Sequence, residues 1–209
     1  MQPLSPTRLI LTAIFLHAVT LALHGQLRQD SLIGRWRSTE VSPAGLSAIF
    51  EFHADNQLDS SSAVISEQQF RLVGTDTIIL QSKGGPVQNM ELEWDNPDRA
   101  RIEDEAAAIF IELTRIGKIL DSKNPLTGDW NTAREWNGKK YPAQASFFSD
   151  GRVVWIITVR TEHGGYSVEN KHIRLEIPSR PIVEGNFAVT TDRLTLPNPK
   201  GGASSFERF

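Results

Sequence analysis

The 209-residue chain contains no cysteine, only two methionines and two tyrosines, and no long apolar run after residue 23. Without cysteine, the chain can form neither a disulfide framework nor a thiolate metal site. The formal net charge of −3 is too small to indicate a nucleic acid as partner. With 39% hydrophobic and 22% charged residues, the composition is that of an ordinary globular protein. Its stability must therefore come from burial and hydrogen bonding.

Motifs for catalysis, metal binding and cofactor binding are also missing. Beyond residue 25, the histidines are His53, His163 and His172, and no two of them lie within four residues of each other. The sequence contains neither H-E-x-x-H nor G-x-S-x-G. The acidic cluster at 103–105 lacks the spacing of a calcium loop and is interpreted as a solvated turn. The sequence therefore predicts no catalytic residue, no metal ligand and no cofactor, and a protein that is not an enzyme.

The N-terminus has the order of a secretory signal. Arg8 is followed by an apolar run from Leu9 to Leu23, and the small residue Gly25 closes it. A membrane anchor is the weaker alternative, because the run is shorter than the roughly 20 residues that span a bilayer and contains His17. The pattern predicts a cleaved signal peptide over residues 1–25, a secreted or periplasmic protein, and no stable membrane insertion.

The remaining sequence is duplicated. Gly34-Arg-Trp36 recurs 94 residues later as Gly128-Asp-Trp130, and Leu113-Thr-Arg115 recurs as Phe206-Glu-Arg208. Between them, the Phe-rich run before Asp55-Asn56 matches the one before Asp150-Gly151. Because the matches keep their order and spacing, we predict two repeats, residues 30–116 and 126–209, joined by a linker at 117–125.

Apolar residues alternate with polar ones along both repeats, as in Phe50 and Phe52 or in Ile173, Leu175 and Ile177. This period of two predicts strands. Turn-forming residues separate them, among them Asp55-Asn56, Asp150-Gly151 and His163-Gly164-Gly165, while "DSSSAV" at 59–64 is interpreted as a polar loop or the start of a strand. Seven or eight short strands in each repeat predict an all-β fold of two tandem small antiparallel meander β-barrels.

A Gly-x-Trp on the first strand and a lone Arg on the last strand resemble the lipocalin-like barrels of the calycin group, in particular the compact domains of exported bacterial proteins. The resemblance covers both repeats and rests on Trp36, Arg115, Trp130 and Arg208. It implies that Trp36 pairs with Arg115, and Trp130 with Arg208, to close one end of each barrel. A guanidinium that stacks on an indole gives such a pair a structural role.

Residues 152–159 form a segment that is apolar on both faces. Val153 and Trp155 lie on one face and Val154 and Ile156 on the other, so both faces are expected to be covered. Residues 26–115 carry a net charge of −7 and residues 116–209 one of +3, and opposite charges favour docking of the two repeats. We therefore predict Val154 and Ile156 as an interface between the repeats, with a separate partner as the alternative.

Two functions remain open at this point. The first is a structural or protein-interaction module of the cell envelope, with another envelope protein as its partner. The alternative is a binding protein for a small apolar ligand in a barrel interior or mouth. An apolar cavity above about 300 Å³ would favour the ligand, whereas filled interiors with an exposed apolar patch would favour the module. The sequence does not fix the oligomeric state.

Overall fold

A computed structural model describes residues 30–121 and 124–209. The predicted signal peptide at 1–25 lies outside the described residues. Fifteen strands account for most of the described chain. They are β1 (Gly34–Val41), β2 (Ser47–Phe52), β3 (Gln57–Val73), β4 (Thr77–Ser82), β5 (Val87–Asn96), β6 (Arg99–Asp104), β7 (Ile109–Ile116), β8 (Gly128–Trp136), β9 (Lys139–Phe147), β10 (Arg152–Glu169), β11 (His172–Glu176), β12 (Val183–Asn186), β13 (Ala188–Val189), β14 (Arg193–Pro197) and β15 (Ala203–Arg208).

The predicted all-β fold is confirmed, since the strands form one antiparallel sheet. Alternation is visible in the burial of individual strands. In β7, for example, Ile111, Leu113 and Arg115 are buried, while the residues between them are exposed. One face of each such strand packs on a core and the other faces water, which is why the period of two identified the strands.

The chain folds into two compact units, and each unit takes strands from both repeats. Unit 1 contains residues 30–42, 47–61 and 161–209, and unit 2 contains residues 43–46 and 62–160. The long strands β3 and β10 each contribute to both units. The compact units therefore cross the boundaries of the sequence repeats instead of following them.

In unit 2, neighbouring strands pair in chain order from β3 to β10, and β10 also pairs with β3. The Phe70 N–H donates to the carbonyl oxygen of Gly151 across this last pairing (2.6 Å). The order of hydrogen-bonded strands thus returns to the strand at which it began. The core of the unit consists of Phe70, Ile78, Leu80, Met90, Leu92, Ala100, Ile102, Ile111, Leu113, Leu126, Trp130, Ala145, Phe147, Val153 and Trp155.

In unit 1, β1 pairs with β2 and β15, β14 pairs with β13 and β15, and β11 pairs with β10 and β12. The Tyr166 N–H donates to the carbonyl oxygen of Asn56, which joins β10 to the turn before β3 (2.9 Å). Strands β12 and β13 are separated by Phe187. Because β12 pairs with β11 and β13 pairs with β14, the two together correspond to β5, which pairs with β4 and β6 in unit 2. The core consists of Leu32, Trp36, Phe52, Leu58, Tyr166, Ile173, Leu175, Ile177, Phe187, Leu194, Leu196 and Phe206.

The segment 117–125 connects two neighbouring strands of one unit. β7 pairs with β8, with Arg115 opposite Trp130 and Thr114 opposite Asn131. The segment therefore connects two paired strands inside unit 2.

The net charges of the two compact units differ from those of the two repeats. Residues 30–42, 47–61 and 161–209 hold 8 basic and 11 acidic residues, a net charge of −3, and residues 43–46 and 62–160 hold 12 and 14, a net charge of −2. The opposite charges of the repeats are absent from the units.

Two predicted breaks lie inside strands. Residues 59–64 belong to β3, and His163-Gly164-Gly165, predicted as a turn, belongs to β10. Gly164 is needed there for space, because a Cβ at this position would lie 2.2 Å from the carbonyl oxygen of Glu176 on the adjacent segment. Glycine in a strand often marks such a close approach of two backbones.

Candidate functional site

In unit 1, the guanidinium of Arg208 stacks on the indole ring of Trp36. The guanidinium carbon lies 4.1 Å from the centre of the indole ring. The Arg208 guanidinium donates to the carbonyl oxygens of Ile33 (2.8 Å), Ser31 (2.6 Å) and Thr191 (2.8 Å). The fully buried Trp36 donates its indole N–H to the carbonyl oxygen of Leu32 (2.6 Å). Backbone oxygens thus satisfy the donors of both side chains.

Unit 2 repeats this arrangement with Arg115 on Trp130, again with 4.1 Å between guanidinium carbon and ring centre. Arg115 donates to the carbonyl oxygens of Thr127, Pro125 and Pro97, and Trp130 to that of Leu126 (2.7 Å). Burial lowers the pKa of Arg115, while the nearby carboxylate of Asp98 opposes this change.

The partners in these two stacks differ from those expected. We predicted Trp36 with Arg115 and Trp130 with Arg208; that pairing is wrong. β1 pairs with β15, which places Trp36 opposite Arg208, and β7 pairs with β8, which places Trp130 opposite Arg115. Each stack therefore joins one repeat to the other. The structure brings together the four predicted residues, but in exchanged pairs.

The glycine of each Gly-x-Trp motif has a positive φ, +118° at Gly34 and +125° at Gly128. A Cβ at Gly34 would lie 2.8 Å from Nη1 of Arg208, and one at Gly128 would lie 3.5 Å from Nη1 of Arg115. The motif thus combines a backbone conformation that favours glycine with room for the arginine beside it.

Unit 1 has a cavity of about 280 Å³ at the end of its core away from this stack. Along β1 it begins at Ser38, two residues after Trp36, and along β15 it includes Phe206, two residues before Arg208. Its apolar lining consists of Ala48, Phe50, Leu175, Ile177, Val183, Leu196 and Phe206, together with Pro181, Pro197 and Pro199.

The polar groups of the cavity are Ser38, Arg180, Asn198 and Ser204. Arg180 donates to the carboxylate of Glu162 through Nε (2.6 Å), so its charge is already paired. Asn198 donates from Nδ2 to the Ser204 hydroxyl (3.0 Å). The lining contains neither histidine nor a carboxylate and so offers no general base. It can hold an apolar molecule and donate or accept a few hydrogen bonds.

A separate group of ionisable residues lies on β3 and β10 of unit 1. Asp59 bonds His163 Nδ1 through Oδ1 (2.6 Å) and His53 Nε2 through Oδ2 (3.3 Å). Burial acts to raise the pKa of Asp59, but the hydrogen bonds and charges of His163 and His53 outweigh it, and the pKa is lowered. His163 is largely exposed. In residues 30–121 and 124–209, no three His, Asp or Glu side chains are arranged to hold a metal ion.

Val154 and Ile156, the predicted interface residues, lie in the part of β10 that belongs to unit 2. They pair with Ser146 and Gln144 of β9. Both side chains are buried, although neither belongs to the two core clusters. Their face of the strand is therefore covered, as the two-sided apolar pattern predicted, and their role as an interface stays a prediction.

Sequence reasoning missed the cavity and its polar groups. Arg180, Asn198 and the three prolines come from the segment 178–182 after β11 and from residues 197–199 at the end of β14. The signal was an excess of proline after two alternating segments, which indicates loops that cannot extend the sheet. Which loops meet at one end of a unit depends on the exchange of strands between repeats, and the local pattern does not contain that information.

Comparison of the chain with protein-family models, with curated proteins and with solved structures finds no match. Among the described residues, no helix has the length and apolar character needed to cross a membrane. The cavity of unit 1 and its lining are therefore the basis on which a function can be assigned.

Proposed function

We propose that each unit is a small lipocalin-like barrel, and that the protein is an exported, non-enzymatic binding protein whose unit 1 holds a small apolar ligand. The barrel assignment is supported by the return of the strand pairings to their start in unit 2. It is also supported by the Trp–Arg stack at one end of each unit. Export is supported by the charge and apolar run of residues 8–25.

The observation that carries the ligand-binding function is the cavity lined by Phe50, Leu175, Ile177, Leu196 and Phe206. Its volume of about 280 Å³ lies just under the range of about 300–1,000 Å³ found for sites that take drug-sized molecules. A ligand with one ring or a short alkyl chain therefore suits it better than a long acyl chain. Ser38, Asn198 and Ser204 provide hydrogen bonds for one polar group, such as a hydroxyl.

Titration with 1-hexanol, followed by methyl NMR, tests this function. We expect saturable shifts of the methyl groups of Leu175, Ile177 and Leu196, because these line the cavity. Replacing Ala48 with Phe fills the cavity and should abolish the shifts. The matched control is Ala203→Phe, since Ala203 is exposed and lies next to Ser204 on the opposite face of β15.

Binding that survives Ala48→Phe, or methyl shifts spread evenly over both units, would overturn the ligand-binding function. The envelope module predicted from the sequence would then be favoured. Its supporting observation is the exposure of large apolar side chains in unit 2, with Phe110 at 56% and Leu120 at 72%.

A further inference from the structure

Unit 2 carries an unusual arginine at the end of β8 opposite the Arg115–Trp130 stack. Arg134 lies four residues after Trp130 on β8, so the alternation of side chains along a strand places both on the same face. That spacing corresponds to about 13 Å. The guanidinium carbon of Arg134 lies 4.8 Å from the centre of the Trp155 ring. Arg134 thus packs against the aromatic end of the core.

Arg134 is half-buried and has no carboxylate partner within 4 Å among residues 30–121 and 124–209. Burial lowers its pKa, and no neighbouring acid opposes that effect. Arg101 and Arg152 of the same unit differ in this respect, because Arg101 pairs with Glu93 and Arg152 with Asp150. A partly desolvated charge without a counter-charge is costly to keep unless an anion can join it.

The side chains around Arg134 are aromatic, cationic or neutral. Tyr141 lies opposite Arg134 on β9, and Lys139 lies opposite Trp136. The rings of Trp136 and Tyr141 have centroids 6.1 Å apart, inclined at 60°. This face thus presents two cations beside three aromatic rings, counting that of Trp155.

Among residues 30–121 and 124–209, no carboxylate compensates the positive charge of Arg134. Gln68 accepts the indole N–H of Trp155 through Oε1 (2.9 Å), which fixes the ring that Arg134 covers. Glu135 follows Arg134 on β8 and therefore projects from the other face of the strand. Glu67, which precedes Gln68 on β3, lies 3.9 Å from Arg152. The rigid ring and the free charge together form one pre-arranged surface.

The fold does not require these residues, as the other repeat shows. At the offsets of the duplication, Arg134 corresponds to Glu40 and Trp155 to Ser60. Unit 1 is built without an arginine or a tryptophan at these places, yet it keeps the Trp–Arg stack at its other end. A purely structural role would have an equivalent in both units.

We propose that this end of unit 2 binds a small carboxylate that carries a flat apolar group. A guanidinium that stacks on a ring with its face still directs its N–H groups outward in its own plane, where they can donate to two carboxylate oxygens. The flat group then packs on Trp155, Trp136 or Tyr141, and Lys139 adds long-range attraction. This site is independent of the unit 1 cavity, whose lining is mainly apolar.

Benzoate is the probe for this site, with the neutral amide benzamide as its match in shape. Isothermal titration of the full chain should give one saturable benzoate site, and benzamide should bind at least about tenfold more weakly, since charge-assisted hydrogen bonds are roughly twice as strong as neutral ones. The indole N–H resonance of Trp155, assigned through Trp155→Phe, should move on addition of benzoate.

Arg134→Gln should weaken benzoate binding about tenfold to a hundredfold, and Arg134→Lys should give an intermediate loss because it keeps the charge without the planar fork. Arg71→Gln is the matched control, since Arg71 is an exposed arginine of the same unit. Benzoate should raise the melting temperature of the wild type and of Arg71→Gln but not of Arg134→Gln, which also reports that the variant is folded. Equal binding of benzoate and benzamide, equal affinity in Arg134→Gln, or no benzoate binding by the wild type would overturn the proposal.

Discussion

Three arginines of the described chain lie on a tryptophan ring, in two different physical situations. Arg115 and Arg208 cover a tryptophan and donate to three carbonyl oxygens each, so burial leaves few of their donors unsatisfied. Arg134 also covers a tryptophan but has no ion pair in the described part of the chain. The same cation–ring contact therefore joins two paired strands in one case and leaves a site for an anion in the other.

The stacks of Arg208 on Trp36 and of Arg115 on Trp130 predict which side chains are energetically coupled. Trp36→Ala should destabilise unit 1 by about 3–5 kcal/mol, as for other buried aromatic truncations, and Arg208→Ala by less. The double variant should show a coupling of about 0.5–2 kcal/mol, the range of a cation–π contact. Denaturant melts of the two single variants and the double variant measure it.

Arg115→Ala combined with Trp36→Ala is the matched control. Arg115 stacks on Trp130 and belongs to unit 2, so its effect should add to that of Trp36→Ala within about 0.5 kcal/mol. A coupling of Trp36 with Arg115 instead of Arg208 would show that the repeats fold as separate domains.

At the scale of strands, periodicity predicted the elements well and their lengths poorly. Alternation identified β2, β7, β11 and β14, and Asp150-Gly151 forms the predicted turn, with Gly151 at a φ of +85°. β3 and β10 were predicted as shorter strands because serine-rich and glycine-rich stretches normally break a sheet. Here each of these strands runs through both units, so pairing on both sides keeps the polar stretch extended.

Gly164 in β10 predicts a strong local difference between two adjacent glycines. A Cβ at Gly164 would lie 2.2 Å from the carbonyl oxygen of Glu176, a backbone atom that cannot move without disturbing β11. A Cβ at Gly165 would lie 3.6 Å from the carbonyl oxygen of Asn56, an ordinary contact. Neither glycine has a positive φ, so the two substitutions differ in space alone.

Gly164→Ala should therefore destabilise the protein by about 1–3 kcal/mol, the range for overpacking, and Gly165→Ala by about 0.5 kcal/mol or less. Urea melts followed by circular dichroism measure both. If the two variants melt alike, the close approach of β10 and the end of β11 is not a constraint on this strand.

For the whole molecule, the duplication could be predicted from the sequence. The exchange of strands between the repeats, by which each unit takes strands from both, could not be predicted. Gly-x-Trp at the start and Arg at the end of each repeat require only that a first strand lies next to a last strand. Trp36 satisfies this requirement with either Arg115 or Arg208. Local patterns are the same in both arrangements, and the choice depends on where β3 and β10 lead the chain. The cavity of unit 1 could not be predicted for the same reason, since Phe50 comes from one repeat and Phe206 from the other.

The exchange predicts how the protein behaves when the chain is cut between its repeats. A protease site inserted after Lys118 lies in the hairpin connection of β7 and β8, and cleavage there separates residues 30–118 from 119–209. Because each unit contains strands of both fragments, the fragments should stay together after cleavage and elute as one species of unchanged mass in size-exclusion chromatography with light scattering. The cut chain should be less stable than the intact one and should melt at a temperature that rises with concentration, since folding then requires association.

The same site inserted after Gly84, in the turn between β4 and β5, controls for the effect of insertion into a hairpin. Two fragments that elute separately, each with a native-like circular dichroism spectrum, would show tandem domains and refute the exchange.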